Sequence, residues 1–96
     1  MEILTLTAST CNGNFYQGDK NNYLLKPADR EFKNCSHKPE YYLLKKVGND
    51  MKFVSGFFKT REDSTYSYDV KTTIGVKKMM LAEFENNGDK LTLRSK

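Results

Sequence analysis

The sequence predicts a mainly β protein: a small antiparallel meander of six or seven strands, barrel-like or sandwich-like, with at most one or two short helices. Three observations lead there. Residues 65–74 alternate cleanly, with Tyr66, Tyr68, Val70, Thr72 and Ile74 on one face and Thr65, Ser67, Asp69, Lys71 and Thr73 on the other. That is the period of a strand with one wet face. Turn-forming groups recur along the chain at Asn12-Gly13, Gly18-Asp19, Gly48-Asn49-Asp50 and Asn86-Asn87-Gly88-Asp89, a spacing that suits a meander closed or nearly closed on itself. Tyrosines, valines and paired aromatics crowd the region 41–74, which favours a pleated surface. The alternative is an α+β sandwich with helices near 39–47 and 76–86.

Taken in order, residues 2–8 read as a strand with Leu4 and Leu6 on one face and Thr5 and Thr7 on the other. Residues 9–22 are rich in turn formers. Residues 23–26 form a short strand. "PADREF" from Pro27 can open one helical turn, since proline is tolerated at the first helical position. Residues 39–47 read either as a helix, started near Pro39 and stopped by Gly48, or as a strand from Tyr41. Residues 76–85, containing "KKMMLAEFE", are similarly open, because these are good helix formers. The last hairpin turns on Asn86-Asn87-Gly88-Asp89, which suits positive φ, and sends Leu91 and Leu93 toward a core.

The segment "YYLLKKVGNDMKFVSGFFKTRED" is the most apolar and aromatic part of the chain. As strands, residues 41–47 and 51–59 make a hairpin about Gly48-Asn49-Asp50. On the second strand Met51, Phe53 and Phe57 take one side and Val54 and Phe58 the other, with Gly56 between. Both sides are apolar, where a one-sided sheet would have a polar face. The strand is then covered on both faces, or a bulge at Gly56 turns Phe58 inward, or a helix covers its outer side. Otherwise Phe57 or Phe58 is exposed beside Lys59 and Arg61 as an anchor for a partner.

The chain has 96 residues, the length of a single domain spanning 1–96. Its formal charge is +4 and its pI about 9.1, a weak preference for anionic partners. The charge is evenly spread: the first 48 residues carry seven basic and five acidic side chains, the last 48 nine and seven. Arginine, the better fork for phosphates and base edges, occurs only at Arg30, Arg61 and Arg94, which argues against a dedicated reader of nucleic acid sequence. Abundant lysine and asparagine suit an AT-rich coding genome, such as many phages or low-GC bacteria have. The N-terminus lacks the basic and apolar regions of a signal peptide, and no run approaches the ~18 apolar residues of a membrane helix. An intracellular, cytoplasmic protein with no membrane contact is expected, with Cys11 and Cys35 as reduced thiols. Paired, they would contribute roughly 3 kcal/mol. Asn34-Cys35-Ser36 matches a glycosylation acceptor, relevant only to a secreted chain.

Catalytic signatures are sparse. His37 beside Cys35 offers too few ligands for a structural zinc, and no third group orients a cysteine–histidine pair. There is no phosphate loop, dinucleotide fingerprint or nucleophile elbow. Glu62-Asp63 and Glu83 with Glu85 read as solvated carboxylates. No catalytic residue, metal or cofactor is expected. The leading functional expectation is a non-enzymatic protein-binding module of inhibitor or modulator type, with Tyr41, Tyr42, Lys45, Lys46, Lys52, Phe57, Phe58, Lys59 and Arg61 as its contact residues. The alternative is a nucleic-acid-binding barrel that stacks bases on Tyr41, Tyr42, Phe53, Phe57 and Phe58 among the lysines. A third reading is a metal-free ribonuclease built from Lys45, Lys46, Lys52, Arg61, Tyr66 and Tyr68.

Overall fold

The structure, a computed structural model, describes residues 1–28 and 39–95. Eight strands account for most of it: β1 (Glu2–Thr10), β2 (Gly13–Gln17), β3 (Asn22–Pro27), β4 (Tyr41–Val47), β5 (Asp50–Lys59), β6 (Thr65–Lys71), β7 (Lys77–Glu85) and β8 (Lys90–Ser95). Each pairs antiparallel with the next, and β8 returns to β1, so the sheet closes into a barrel. Among the described residues the helical content is one 3-10 turn, Asn86–Gly88. One end of the barrel carries the β1–β2, β5–β6 and β7–β8 turns; the other carries the β2–β3, β4–β5 and β6–β7 turns.

The β-barrel expectation therefore holds, with eight strands rather than six or seven. The additional strand is β2, inside the segment read as turns. It starts at Gly13, where φ is 141° and a Cβ would lie 2.6 Å from the Leu25 carbonyl oxygen. Only glycine fits there without strain. The helical alternatives for 39–47 and 76–86 are not adopted. In β7, Met80, Ala82 and Phe84 turn toward the core while Leu81 and Glu83 turn away, the alternation of a strand paired on both sides. Ladder bonds and burial outweigh the helix propensity of Lys, Met, Leu and Glu, a few tenths of a kcal/mol per residue. The helical turn expected from Pro27 lies largely outside the described residues.

Strand β6 ends at Lys71, earlier than its alternation suggests. A turn follows, in which the Gly75 N–H donates to the Thr72 carbonyl and the Thr72 N–H to the Val76 carbonyl, both at 2.9 Å. Ile74, expected on the core face, is 84% exposed as a result.

Two bulges set the phase of the long strands. In β1, Leu6 stands opposite Tyr16 but Ala8 opposite Phe15, so Thr7 is the extra residue. In β5, Leu43 stands opposite Ser55 but Leu44 opposite Phe53, so Val54 is the extra residue. The phase change expected at Gly56 occurs here instead. It turns Val54 toward the core and Phe53 outward, 63% exposed. Gly56 has a different duty: a Cβ there would come within 2.9 Å of the Pro39 side chain.

The interior is filled by Leu4, Tyr16, Tyr23, Leu25, Leu43, Phe57, Tyr66, Tyr68, Ala82, Leu91 and Leu93, as the narrow bore of an eight-stranded barrel allows. Leu91 and Leu93 point inward as expected. Burying each large aliphatic or phenyl side chain contributes about 1.5–3 kcal/mol. Interior tyrosines place their hydroxyls at the rims. Tyr16 donates to the Gly88 carbonyl at 2.7 Å, Tyr66 to Glu40 Oε2 at 3.1 Å and Tyr23 to Glu2 Oε1 at 3.4 Å.

Closure is uneven. β4–β5 and β6–β7 each have seven ladder pairs, whereas β5–β6 has two, Phe58 opposite Ser67 and Lys59 opposite Tyr66.

Candidate binding surface

Residues directly opposite on neighbouring strands share a face of the sheet. Ala8, Phe15, Leu24, Leu44 and Phe53 stand opposite one another in turn across β1 to β5. Their neighbours Tyr16, Tyr23, Leu25 and Leu43 belong to the interior cluster. The row Ala8–Phe15–Leu24–Leu44–Phe53 is therefore on the outside of the barrel. Leu24 is only 8% exposed yet stands outside the interior cluster; its flanks on the ladder are Phe15 and Leu44. Tyr42 lies in the adjacent outer row, between Lys26 and Gly56. Its ring meets Phe53 edge to face, with centroids 5.7 Å apart. On the other side of the row, a groove of about 420 Å³ runs past Phe15, Gln17, Asn22, Lys46 and Met51.

The charge on this face is one-sided. Strands β2, β3 and β4 contain no Asp or Glu but carry Lys26, Lys45 and Lys46. The outside of β7 and β8 is mixed, with Arg94 and Glu83 at 3.8 Å and both half-exposed, a pair worth about 0–1 kcal/mol.

The nine contact residues expected from the sequence do not form one site. Tyr42 and Lys46 lie on the outer face, and Phe58 is half-buried on the outside of β5. Lys45 and Lys52 stand opposite each other in the row of Tyr23, toward the β4–β5 turn. Arg61 sits in the β5–β6 turn at the other end, beside Thr60, Glu62, Leu81 and Arg94. Tyr41 and Lys59 line a mouth of about 820 Å³ at that same end, with Asn14, Asp63, Phe84 and Asn87. Phe57 corrects the expectation outright. It is 0% exposed, with its ring stacked on Tyr66 at 6.2 Å and tilted against Tyr68 at 4.9 Å, so it cannot anchor a partner in the folded barrel. The Val54 bulge is the cause, since it separates the phase of Phe53 from that of Phe57. Phe15, Leu24 and Leu44 were not expected. Each is an ordinary strand residue in sequence, and only cross-strand register joins them.

The set expected for a ribonuclease is likewise dispersed. Lys45, Lys46 and Lys52 lie toward the end opposite Arg61. Tyr66 and Tyr68 are interior. Burial, then the bond to and charge of Glu40, then Tyr41, push the Tyr66 hydroxyl up to about 12. Burial pushes Tyr68 higher still, with Tyr23 and Glu2 adding to it. Such hydroxyls hold their protons at neutral pH and make poor general bases. The Lys59 ammonium lies 5.2 Å from the Tyr66 ring centroid and donates to the Glu62 carbonyl at 3.3 Å, which leaves it as a cap over the mouth.

Arg30, Cys35 and His37 lie outside the described residues. Cys11 is an exposed free thiol. Among the described residues no group of three or more His, Cys, Asp or Glu side chains is placed to hold a metal ion, and no helix is long and apolar enough to cross a membrane. No protein-family model, curated protein or solved structure matches the chain.

Proposed function

We propose that this barrel is a non-enzymatic binding module, of inhibitor or modulator type, that docks a protein partner through the outer face of β2 to β5. One observation carries the reading: an apolar row, Phe15–Leu24–Leu44–Phe53, crosses the outside of a barrel whose interior is already filled. Phe53 is exposed and Phe15 and Leu44 are half-buried, while Leu24 is buried; an apolar patch rimmed by polar groups favours association. An aromatic at its margin, such as Phe53 braced by Tyr42, is the residue type that dominates binding energy. Lys26 and Lys46 beside the row, with no carboxylate on β2 to β4, favour a partner whose apolar contact surface has an acidic margin.

The aliphatic Leu44, half-buried beside Phe53, suits a protein surface better than a base-stacking track, which uses aromatic platforms. The experiment compares Phe53→Ser and Leu44→Ser with the wild-type protein in capture of partners from the source cell. In parallel, binding of labelled single-stranded and duplex nucleic acid is measured at about 50 and 200 mM salt, the range over which phosphate contacts weaken strongly. The proposal expects a protein retained by wild type and lost by both variants, and no salt-sensitive nucleic acid binding. Identical captured sets for all three proteins would sink it. Binding to nucleic acid that collapses with salt would replace it with the nucleic acid reading.

A further inference from the structure

The turn between β6 and β7 carries apolar side chains outward. Ile74 is 84% exposed and Val76 58%, one on each side of Gly75, and Met79 follows them in β7, also exposed. Apolar groups left in water add nothing to folding, and several gathered at one turn mark an interaction site. The turn is braced from within. The Gly75 N–H donates to the Thr72 carbonyl, and the Val76 carbonyl accepts from both the Thr72 N–H and the Thr72 hydroxyl, each at 2.9 Å. Gly75 holds φ at 85°, and a Cβ there would meet Lys71 Cε at 4.0 Å and nothing nearer. The tip therefore projects clear of the barrel. Backbone groups bonded inside the turn lower the cost of taking it out of water.

Charge is a second, independent observation. From Val70 to Ala82 the chain carries Lys71, Lys77 and Lys78 and no carboxylate. Because β5 and β6 are neighbours, the β4–β5 turn stands beside this one. It adds an exposed Val47 among Lys45, Lys46 and Lys52. Contact made end-on takes in side chains from both faces of the wall. Among the described residues the carboxylates at this end are Glu2, Asp19, Asp50 and Asp69. Glu2 lies in the mouth and accepts from the Tyr23 hydroxyl. Asp69 sits at the base of the hairpin, opposite Met79. None of the four is in the β6–β7 turn. β3 ends and β4 begins at the other end of the barrel.

We infer that this end of the barrel docks on an anionic membrane surface, with the β6–β7 turn as its point of entry. Ile74 and Val76 enter the boundary between headgroups and acyl chains. The lysines stay at headgroup depth, against phosphate and carboxylate groups, as their long stems allow. Attraction to an anionic leaflet fades within a Debye length, and apolar burial at the tip supplies the part that salt does not remove. A nucleic acid fits less well, since residues 71–80 include no aromatic for base stacking and no arginine. The contact is peripheral and needs no spanning helix, but it departs from the sequence expectation of no membrane contact. It uses a different surface from the outer row of β1 to β5 and does not depend on the protein-binding reading.

The chain contains no tryptophan, so Ile74→Trp places a single fluorescent reporter at the tip. The full chain is sedimented with vesicles of equal parts phosphatidylcholine and phosphatidylserine, with vesicles of phosphatidylcholine alone, and tested for binding to duplex DNA. Binding to the anionic vesicles is expected, at least about tenfold tighter than to the neutral ones. The reporter should shift to shorter wavelength on the anionic vesicles and be quenched by brominated acyl chains. Ile74→Ser, and Lys77→Gln combined with Lys78→Gln, should each weaken binding at least about tenfold. Lys90→Gln, which removes an exposed lysine at the other end, should leave it unchanged. Failure to sediment with anionic vesicles overturns the inference, and so does binding that leaves the reporter unshifted. Binding of Ile74→Ser equal to wild type, or a loss in Lys90→Gln equal to that of the paired variant, would reduce the effect to net charge and overturn it too. Binding to DNA without binding to vesicles would replace it with a nucleic acid contact.

Discussion

Replacing Phe57 and Phe53 separately by alanine tests the register that places the docking face on the outside of the barrel. Phe57 is 0% exposed, with its ring against Tyr66 and Tyr68, and truncating a buried phenylalanine costs about 3–5 kcal/mol. A chain of 96 residues has a total stability of roughly 5–14 kcal/mol at about 0.05–0.15 kcal/mol per residue. One substitution should therefore remove a large part of it. At about 4–8 °C per kcal/mol for a domain this size, Tm should fall by at least about 12 °C. Phe53, 63% exposed, loses its edge contact with Tyr42 and little else. Its truncation should cost about 1 kcal/mol or less. Urea denaturation followed by circular dichroism gives both values, with an unchanged slope confirming the same unfolded reference. Equal losses would refute the reasoning. A larger loss at Phe53 would mean that the extra residue in β5 is not Val54, that the row now read as outer is the interior, and that the docking face lies elsewhere.

Leu24→Ala should destabilise by about 2 kcal/mol although Leu24 is not in the interior cluster, at the low end of leucine truncations because its covering is one-sided; a loss under about 0.5 kcal/mol, the scale of ordinary surface substitutions, would contradict its burial. Gly13→Ala should cost more than about 1 kcal/mol, because φ there is 141° and the methyl would meet the Leu25 carbonyl; neutrality in the same assay would show that the β1–β2 turn is placed wrongly. Tyr16, Tyr23, Tyr66 and Tyr68 all hold their protons above the ordinary tyrosine range, chiefly through burial. Above pH 10 the unfolded chain has lost protons that the folded barrel retains, so stability is intact below about pH 10 and falls as pH rises toward 12. Phenolate absorbance should reveal these tyrosines late and together with unfolding, and Glu40→Gln should bring Tyr66 down part of the way; ionisation of all four near pH 10 in a folded protein would count against their burial.

The fold was readable where a local pattern carries it. Leu4, Leu91 and Leu93 are interior, as their alternation with polar neighbours implies. The 41–47 and 51–59 hairpin stands nearly where Gly48-Asn49-Asp50 places it. Strand β2 escaped because "GNFYQ" is short and its adjacent Phe15 and Tyr16 point to opposite faces, so hydrophobicity alone shows no alternation. In β7 helix propensity and strand period were both present, and only pairing on both sides decided between them. The docking face was harder to foresee. Phe53 and Phe57 have the same parity in sequence, and a bulge at Val54, which no residue type announces, puts them on opposite sides of the wall. Leu24 joins Phe15 and Leu44 only through register between strands.

The sparse ladder between β5 and β6 also bears on what keeps one barrel apart from the next. Unsatisfied strand edges are where folded β proteins begin to aggregate, because a second copy offers the same groups in the same spacing. Here, among the described residues, the stretches of β5 and β6 without a mutual ladder lie beside the opposed pairs Lys45–Lys52 and Lys71–Lys77. Two copies approaching edge to edge would bring lysines against lysines, and their repulsion, felt within about 10 Å at 0.1 M salt, disfavours that stacking. Concentrated salt screens it, so the protein should be least soluble where ionic strength is high, and neutralising those lysines should increase self-association through the seam.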